Sequence, residues 1–157
     1  MPAFGDCEGK RSGLSDFGAA ALGDGLDKLP KDVERLPHCV VYDRKRADCE
    51  FLDKSGVSYV VFGDLITRKN IRISRRGSPT KLPFGLTPAD TVENIVKKLS
   101  ARADAPDPHI LYRDKKLELF SGLCMTDTRG ERFAIEFIFG NAGRLEEMSV
   151  LADSPGN

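Results

Sequence analysis

The chain has 157 residues, of which 24 are basic and 24 are acidic, so its formal net charge is zero. A balanced charge gives no global indication of binding to nucleic acid or to an anionic membrane surface. No run of about 18 apolar residues occurs, and the sequence therefore predicts no transmembrane helix. A chain of this length can bury a hydrophobic core, either as one domain or as two small halves packed together.

The two ends of the chain are polar and contain no recognisable element. The first residues lack the basic start and the apolar centre of a signal peptide. We therefore interpret residues 1–13 as a flexible lead-in and residues 152–157 as a flexible tail.

The first half predicts a helical segment followed by strands. From Leu14 to Leu36 one or two short helices are expected, interrupted by glycine at positions 23 and 25 and by Pro30. Both residue types destabilise a helix, so these helices should be weak. The strands that should follow span about residues 39–43, 49–53, 57–63 and 65–74.

The second half opens on the clearest helix signal in the chain. Pro88 suits a first helical turn, and Thr87 or Asp90 can accept hydrogen bonds from the free backbone N–H groups. Four apolar residues at helical spacing should form the buried face: Val92, Ile95, Val96 and Leu99. Strands are expected at about residues 109–113, 116–120, 123–126, 131–140 and 145–151.

Internal matches link the two halves. The matched segments are, in order, Phe17-Gly18 with Phe84-Gly85, Asp24-Gly25-Leu26 with Asp90-Thr91-Val92, residues 37–43 with 108–114, and residues 53–59 with 127–133. Such ordered matches indicate a tandem duplication. We predict two repeats, at residues 14–76 and 82–151, joined by the polar linker Arg75–Lys81. The predicted fold class is α+β, a tandem repeat of a helical segment followed by a four-stranded antiparallel sheet, with the helices on one face.

Strand alternation assigns the two faces of the predicted sheet. Phe133, Ile135, Phe137 and Phe139 occupy every second position, so this set should pack beneath the helix of the second half. With helices on one side only, the second face has no obvious cover. It is either solvent-exposed or a binding surface.

The cysteines have several possible arrangements. Cys39 and Cys49 flank a polar segment between predicted strands, at mirrored positions of a hairpin, which would permit a disulfide. A zinc site is the alternative, with His38 as the nearest further ligand. A disulfide would favour an oxidising compartment. Cys7 and Cys124 could pair with each other or stay free.

No motif for catalysis is present. No serine or cysteine lies in a nucleophile-elbow context, and no glycine-rich loop has a phosphate-binding pattern. His38 and His109 each follow a proline at a predicted strand start, where a bond to the backbone is favoured over a paired metal site. We therefore expect a protein without enzymatic activity, cofactor or metal.

The basic run formed by Arg68, Lys69, Arg72, Arg75 and Arg76 has two interpretations. It could contact phosphate groups, or it could belong to an edge strand whose charges guard against aggregation. We favour the edge strand, because the balanced total charge argues against a nucleic-acid partner.

The repeated unit resembles that of the β-lactamase-inhibitor protein family, over about residues 14–151. The matching features are the two Phe-Gly pairs, the Asp-initiated helices at Asp24 and Asp90, the cysteine pair of the first half, and a late strand after Gly56 and Gly130. Ile110 stands where the first half has Cys39, so a second such disulfide is not expected. The resemblance implies no catalysis, and binding of another protein through the helix-free, concave face of the sheet. Single-repeat relatives, small outer-membrane assembly lipoproteins, share the unit.

These expectations predict a non-enzymatic inhibitor or immunity-type protein that neutralises a bacterial enzyme or toxin, in the periplasm or secreted. The alternative function is bacterial envelope assembly or scaffolding, and the alternative location is the cytoplasm. The residues predicted to contact the partner are Tyr42, Val60, Phe62, Arg68, Arg72, Tyr112, Arg132 and Glu136. The aromatic members and Arg68 are the expected anchors, because interfaces concentrate binding energy in such side chains.

Overall fold

The computed structural model describes residues 15–73, 82–100, 109–120, 126–140 and 143–152. Within these residues the strands are β1 (Glu34–Arg35), β2 (Val40–Val41), β3 (Ala47–Leu52), β4 (Val57–Gly63), β5 (Leu65–Arg72), β6 (His109–Arg113), β7 (Lys116–Phe120), β8 (Phe133–Phe139) and β9 (Leu145–Ala152). One α-helix, α1, spans Val92–Ser100, and a short 3-10 helix spans Leu26–Lys28. The predicted lead-in, the linker Arg75–Lys81, most of the strand expected at 123–126, Cys7 and Cys124 lie outside the described residues.

All of the described strands join one antiparallel sheet. Both β1 and β2 pair with β3, and the order then continues β4, β5, β9, β8, β7, β6. At the centre β5 pairs with β9, from Arg68 opposite Leu151 to Arg72 opposite Glu147. The predicted fold class is therefore wrong. The described part is a mostly antiparallel sheet with a single α-helix, and not a tandem α+β layout with a helix before each four-stranded sheet.

The described residues of the first half form no α-helix, although a 3-10 helix spans Leu26–Lys28, because backbone groups of this segment bond to the sheet instead. Gly23 and Asp24 exchange backbone hydrogen bonds with Ile66 of β5, each 2.9 Å long. Gly18 and Gly23 have φ angles of 83° and 89°, which lie in the left-handed region that a right-handed helix excludes. Residues 15–33, called here the N-terminal segment, thus lie on one face of the sheet and bury Leu22 there.

Helix α1 begins one residue after Thr91, whose hydroxyl accepts a hydrogen bond from the Asn94 backbone at 3.1 Å. Thr91 is therefore the cap, and not Thr87 or Asp90 as expected. The Asp90 carboxylate instead closes the preceding turn, by accepting a bond from the Thr87 backbone at 2.8 Å. No helix in the described residues has the length and apolar character needed to cross a membrane.

The predicted packing of the second half is confirmed. The aromatic and aliphatic set Phe133, Ile135, Phe137 and Phe139 is buried in one core with Ile95 and Leu99, and Val92 and Val96 pack against that core. The core continues under the first half through Phe51, Tyr59 and Ile71. One side of the sheet is thus covered by α1 and the N-terminal segment.

The edge-strand interpretation of the basic run is wrong. β5 lies in the interior of the sheet, between β4 and β9, so its charges do not guard an edge. Lys69 points to the covered side and is fully buried, whereas Arg68 and Arg72 point to the other side. Arg75 and Arg76 lie outside the described residues.

The predicted disulfide is confirmed. Cys39 and Cys49 are bonded, with their Cα atoms 4.3 Å apart. The bond ties the segment before β2 to the middle of β3, where Cys49 is buried in the core. In the described part of the chain no group of three or more His, Cys, Asp or Glu side chains is placed to hold a metal ion.

Removal of this disulfide should destabilise the fold without abolishing it. The bond closes a loop of sequence separation 10, for which the loss of unfolded-state entropy corresponds to roughly 2–3 kcal/mol. We expect a Cys39→Ser/Cys49→Ser double variant to lose that amount of unfolding free energy in urea titrations. Unfolding of the wild type in the presence of a reductant should match the variant, and equal stability of all three would contradict the prediction.

Candidate functional site

Strand alternation leaves one face of the sheet without a layer above it in the described structure. In β3 and β8 every second residue is buried on the covered side, and the intervening residues point to the opposite side. Cross-strand register extends this second face over all the long strands. We call it the open face. It carries two chemically different regions, an ion-pair belt at the centre and an aromatic patch at one end.

The ion-pair belt contains equal numbers of basic and acidic side chains. Its ion pairs join Arg68 to Glu136 (3.8 Å) and Glu147 (3.9 Å), Arg72 to Glu147 (3.6 Å), and Lys116 to Glu118 (3.5 Å) and Glu136 (3.8 Å). Each cation therefore has an acidic neighbour on the same face. The centre of the open face is polar but internally neutralised, and it does not present a field of one sign to a partner.

Beneath the belt lies a hydrogen-bond network between β4, β5 and β9. The Ser149 hydroxyl lies 2.6 Å from the Asn70 carbonyl oxygen, and the Asn70 amide donates to the Ser58 hydroxyl at 3.2 Å. Arg68 Nε also donates to Asn70, at 2.9 Å. Ser58, Asn70 and Ser149 are buried. The network satisfies polar groups where the two halves of the sheet join.

The aromatic patch consists of Val40, Tyr42, Val60 and Phe62. Phe62 is 70% exposed and Tyr42 is 55% exposed, which is unusual for large apolar side chains on a sheet. The Tyr42 hydroxyl donates to Asp48 at 2.7 Å, and that bond raises the pKa of Tyr42. Because Asp48 pairs directly with Phe62 across β3 and β4, the two rings lie over neighbouring positions of the open face.

The hairpin that presents Tyr42 is held in place locally. Asp43 accepts backbone bonds from Lys45 (2.8 Å) and Arg46 (3.0 Å), which shapes the turn between β2 and β3. The Lys45 bond is foremost among those that lower the pKa of Asp43. The disulfide fixes the other end of this hairpin. Val40 and Tyr42 of the aromatic patch therefore lie on a cross-linked hairpin, and Val60 and Phe62 lie on the neighbouring strand β4.

The structure brings together most of the residues predicted to bind a partner. Val60, Phe62, Arg68, Arg72 and Glu136 share the open face, and Tyr42 joins them through Asp48. Arg132 is exposed at the start of β8, opposite Thr126 in an isolated bridge. Tyr112 is separate from this group. It pairs with buried Leu117, and its ring contacts that of Phe139 at 6.3 Å, which places it on the covered side at the β6 edge.

Sequence reasoning missed the role of Arg68 and the acidic residues of β3. Arg68 contacts two glutamates and two polar side chains of the sheet, which strand alternation alone did not predict. Asp48 and Glu50 occupy alternate positions of β3 on the open face. Strand alternation could have revealed these two, because both lie out of phase with the buried Cys49 and Phe51.

A second notable group lies on the covered side around Lys69. Its ammonium donates to the backbone carbonyls of Ser15, at 2.7 Å, and Phe17, and it lies 3.9 Å from the centre of the Phe17 ring. Burial lowers the pKa of Lys69 to about 7, although Asp16 and two other carboxylates oppose the shift. The contacts of this amine hold the N-terminal segment to the sheet.

Tyr59 and Asp53 complete that attachment. The Tyr59 hydroxyl donates to Asp53 at 2.7 Å and accepts the Ala19 backbone N–H at 2.7 Å. Burial and the Asp53 bond raise the pKa of Tyr59. Gly18 must be glycine here, because a Cβ atom at that position would collide with the Tyr59 hydroxyl.

No known protein family, curated protein or solved structure matches the chain. The geometry of the open face is therefore the ground on which a function can be proposed.

Proposed function

We propose that the chain is a non-enzymatic, protein-binding inhibitor or immunity-type protein that neutralises a bacterial enzyme or toxin through the open face of its sheet. The observation that carries this proposal is the exposure of Phe62 and Tyr42 on a sheet face without a covering layer in the described structure. Exposed aromatic side chains on a rigid sheet are typical anchors of protein interfaces. The resemblance to the β-lactamase-inhibitor family supports the same class.

Other features support binding over catalysis. The centre of the open face carries matched ion pairs around a buried polar network, so the charged groups of the ion-pair belt are already engaged. A neutral centre lets a partner exclude water over the ion-pair belt without desolvating unpaired charge there, and the exposed aromatic side chains beside it supply apolar contact area. The confirmed disulfide is compatible with a periplasmic or secreted protein, which is where we propose that the protein acts.

Phe62 is the residue on which the proposal is tested. We expect Phe62→Ala to weaken partner binding by about 2 kcal/mol or more, which is the typical cost of removing an interface anchor. Its melting temperature should stay within a few degrees of the wild type, because a side chain that is 70% exposed contributes little to folding. The partner is captured on immobilised protein from periplasmic and culture-supernatant fractions, and affinities are measured by calorimetry.

Tyr112→Ala is the matched control, because Tyr112 is an aromatic residue of similar exposure at the covered-side edge. It should bind the captured partner as the wild type does. Stoichiometric loss of the partner's enzymatic or toxic activity would identify an inhibitor or immunity protein. A partner with no such activity, drawn from the outer-membrane assembly machinery, would instead identify the scaffolding alternative. Equal binding by Phe62→Ala would contradict the proposed site.

A further inference from the structure

The end of the open face that carries the aromatic patch also carries two carboxylates of β3. Asp48 and Glu50 point to this face from β3, and they lie directly opposite Phe62 and Val60 of β4. Directly opposed residues of antiparallel strands have Cβ atoms about 5 Å apart. Two carboxylates and two apolar side chains therefore alternate within one small area.

These carboxylates lack cationic partners in the described structure. Asp48 accepts bonds from neutral donors, the Tyr42 hydroxyl (2.7 Å) and the Gly63 backbone (3.0 Å). Those bonds hold the pKa of Asp48 below its usual value and keep it ionised. Arg46 lies 5.9 Å from the centre of the Tyr42 ring but is paired with Asp43 at 3.3 Å. In the ion-pair belt each acidic side chain has a basic partner, whereas Asp48 has none among the described residues.

Glu50 adds an unsatisfied atom. One of its side-chain oxygens, Oε2, is buried and has no hydrogen-bond partner among the described residues. A buried polar atom without a donor costs free energy in the unbound protein. Because the terminal torsion of a glutamate is soft, this carboxylate can reorient when a donor approaches. A donor supplied from outside the chain would remove the cost.

The combination of acids and aromatic rings defines the chemistry of that donor. A lysine or arginine side chain offers a cationic donor for the carboxylates and an apolar stem for the exposed Phe62 ring. Aromatic faces attract cations, as the position of Arg46 beside Tyr42 already illustrates. An acidic partner segment would be repelled by Asp48 and Glu50, and a purely apolar one would leave both carboxylates desolvated.

We propose that this end of the open face binds a lysine or arginine side chain of the partner protein, with Asp48 and Glu50 as counter-ions and Phe62 and Tyr42 as the aromatic walls. The inference rests on the proposed function and specifies what the partner presents to this face. A partner loop with a basic residue at its tip fits the patch, and the neutral ion-pair belt contacts the flanking surface.

The proposal is tested with a phage-displayed library of disulfide-constrained peptides, selected on the full-length protein. Peptides that bind the open face should be enriched in arginine and lysine relative to the unselected library. Glu50→Gln and Asp48→Asn should each weaken the selected peptides at least about tenfold, the scale expected for loss of a charge partner in an interface. Glu93→Gln, on the exposed side of α1, is the matched control and should leave binding unchanged.

Phe62→Ala separates this inference from the proposed function. One outcome would overturn the inference alone: the peptides lose binding to Phe62→Ala, but they are not enriched in basic residues and still bind Glu50→Gln. The open face would then remain the binding site. Peptides insensitive to all three open-face variants, or a library without any binder, would overturn both. The Glu50→Gln variant should melt at or above the wild-type temperature, because it removes an unpaired charge, so weaker binding cannot be ascribed to unfolding.

Discussion

Lys69→Met is expected to lower the free energy of unfolding by about 3–5 kcal/mol, the scale expected when two buried carbonyls lose a charged donor. The Lys69 ammonium donates to the backbone carbonyls of Ser15 and Phe17, and the side chain is fully buried. Methionine has a similar length but no donor, so both carbonyls would lose a bond in an apolar environment. The N-terminal segment should then detach more easily from the sheet.

Replacing a buried charge with an apolar side chain can also stabilise a protein, because the desolvation cost disappears. Here the lost bonds should outweigh that gain, since carboxylates that face the amine, including Asp24 and Asp53, would lose their cation as well. Chemical denaturation followed by circular dichroism measures the difference. Lys97→Met, on the exposed side of α1, is the matched control and should change stability by no more than about 0.5 kcal/mol. A Lys69→Met variant as stable as the wild type would refute the expectation.

Stability should rise with pH between pH 7 and pH 9.5 by about 3 kcal/mol through Lys69 alone. The pKa of Lys69 is lowered from 10.5 to about 7 in the folded chain, mainly by burial. Between these values the unfolded chain binds a proton that the folded chain has released. Raising the pH therefore favours the folded state, and the desolvation cost of the charged amine is felt in full below pH 7.

The pH dependence is isolated by comparing the wild type with Lys69→Met. The variant should lack the rise, while all other titrating groups contribute equally to both proteins. The measurement stops at pH 9.5 because Tyr59 acts in the opposite direction at higher pH. Its raised pKa keeps the folded chain protonated where the unfolded tyrosine ionises, so its stabilising effect is lost as the pH rises above 10. Parallel curves for the two proteins would show that Lys69 does not titrate in this range.

Local patterns were sufficient for part of the site. Alternation over Phe133–Phe139 identified the covered face, and the exposure of Phe62 on the opposite side follows from the same period of two. Long-range pairing decided the rest. The sequence predicted Arg68 as an interface anchor but did not predict its ion pairs. The pairing of β5 with β9 places Arg68 beside Glu136 and Glu147. Whether Phe62 and its neighbours bind a partner stays a prediction.

The sequence by itself determined the elements whose signals are short-range. The apolar face of α1, the alternation of β8, the turn at Asp53 and the Cys39–Cys49 disulfide depend on residues close along the chain. The turns after Asp53 and Asp127 have the same form, because each carboxylate accepts backbone bonds from the residues two and four positions later. Such interactions depend on local spacing, which a sequence displays directly.

Only the tertiary structure decided how these elements combine. A period of two does not say which strands are neighbours, and the β5–β9 pairing joins residues about 80 positions apart to make one sheet from both halves. That pairing placed Lys69 in the interior and Arg68 in the ion-pair belt. Long-range pairing also explains why the α-helices expected in the first half are absent from the described residues, because this segment bonds to β5. The Gly23 N–H donates to the Ile66 carbonyl and the Ile66 N–H donates to the Asp24 carbonyl, so these backbone groups are satisfied by the sheet, whereas glycine-rich helical turns would have done so at a higher entropic cost.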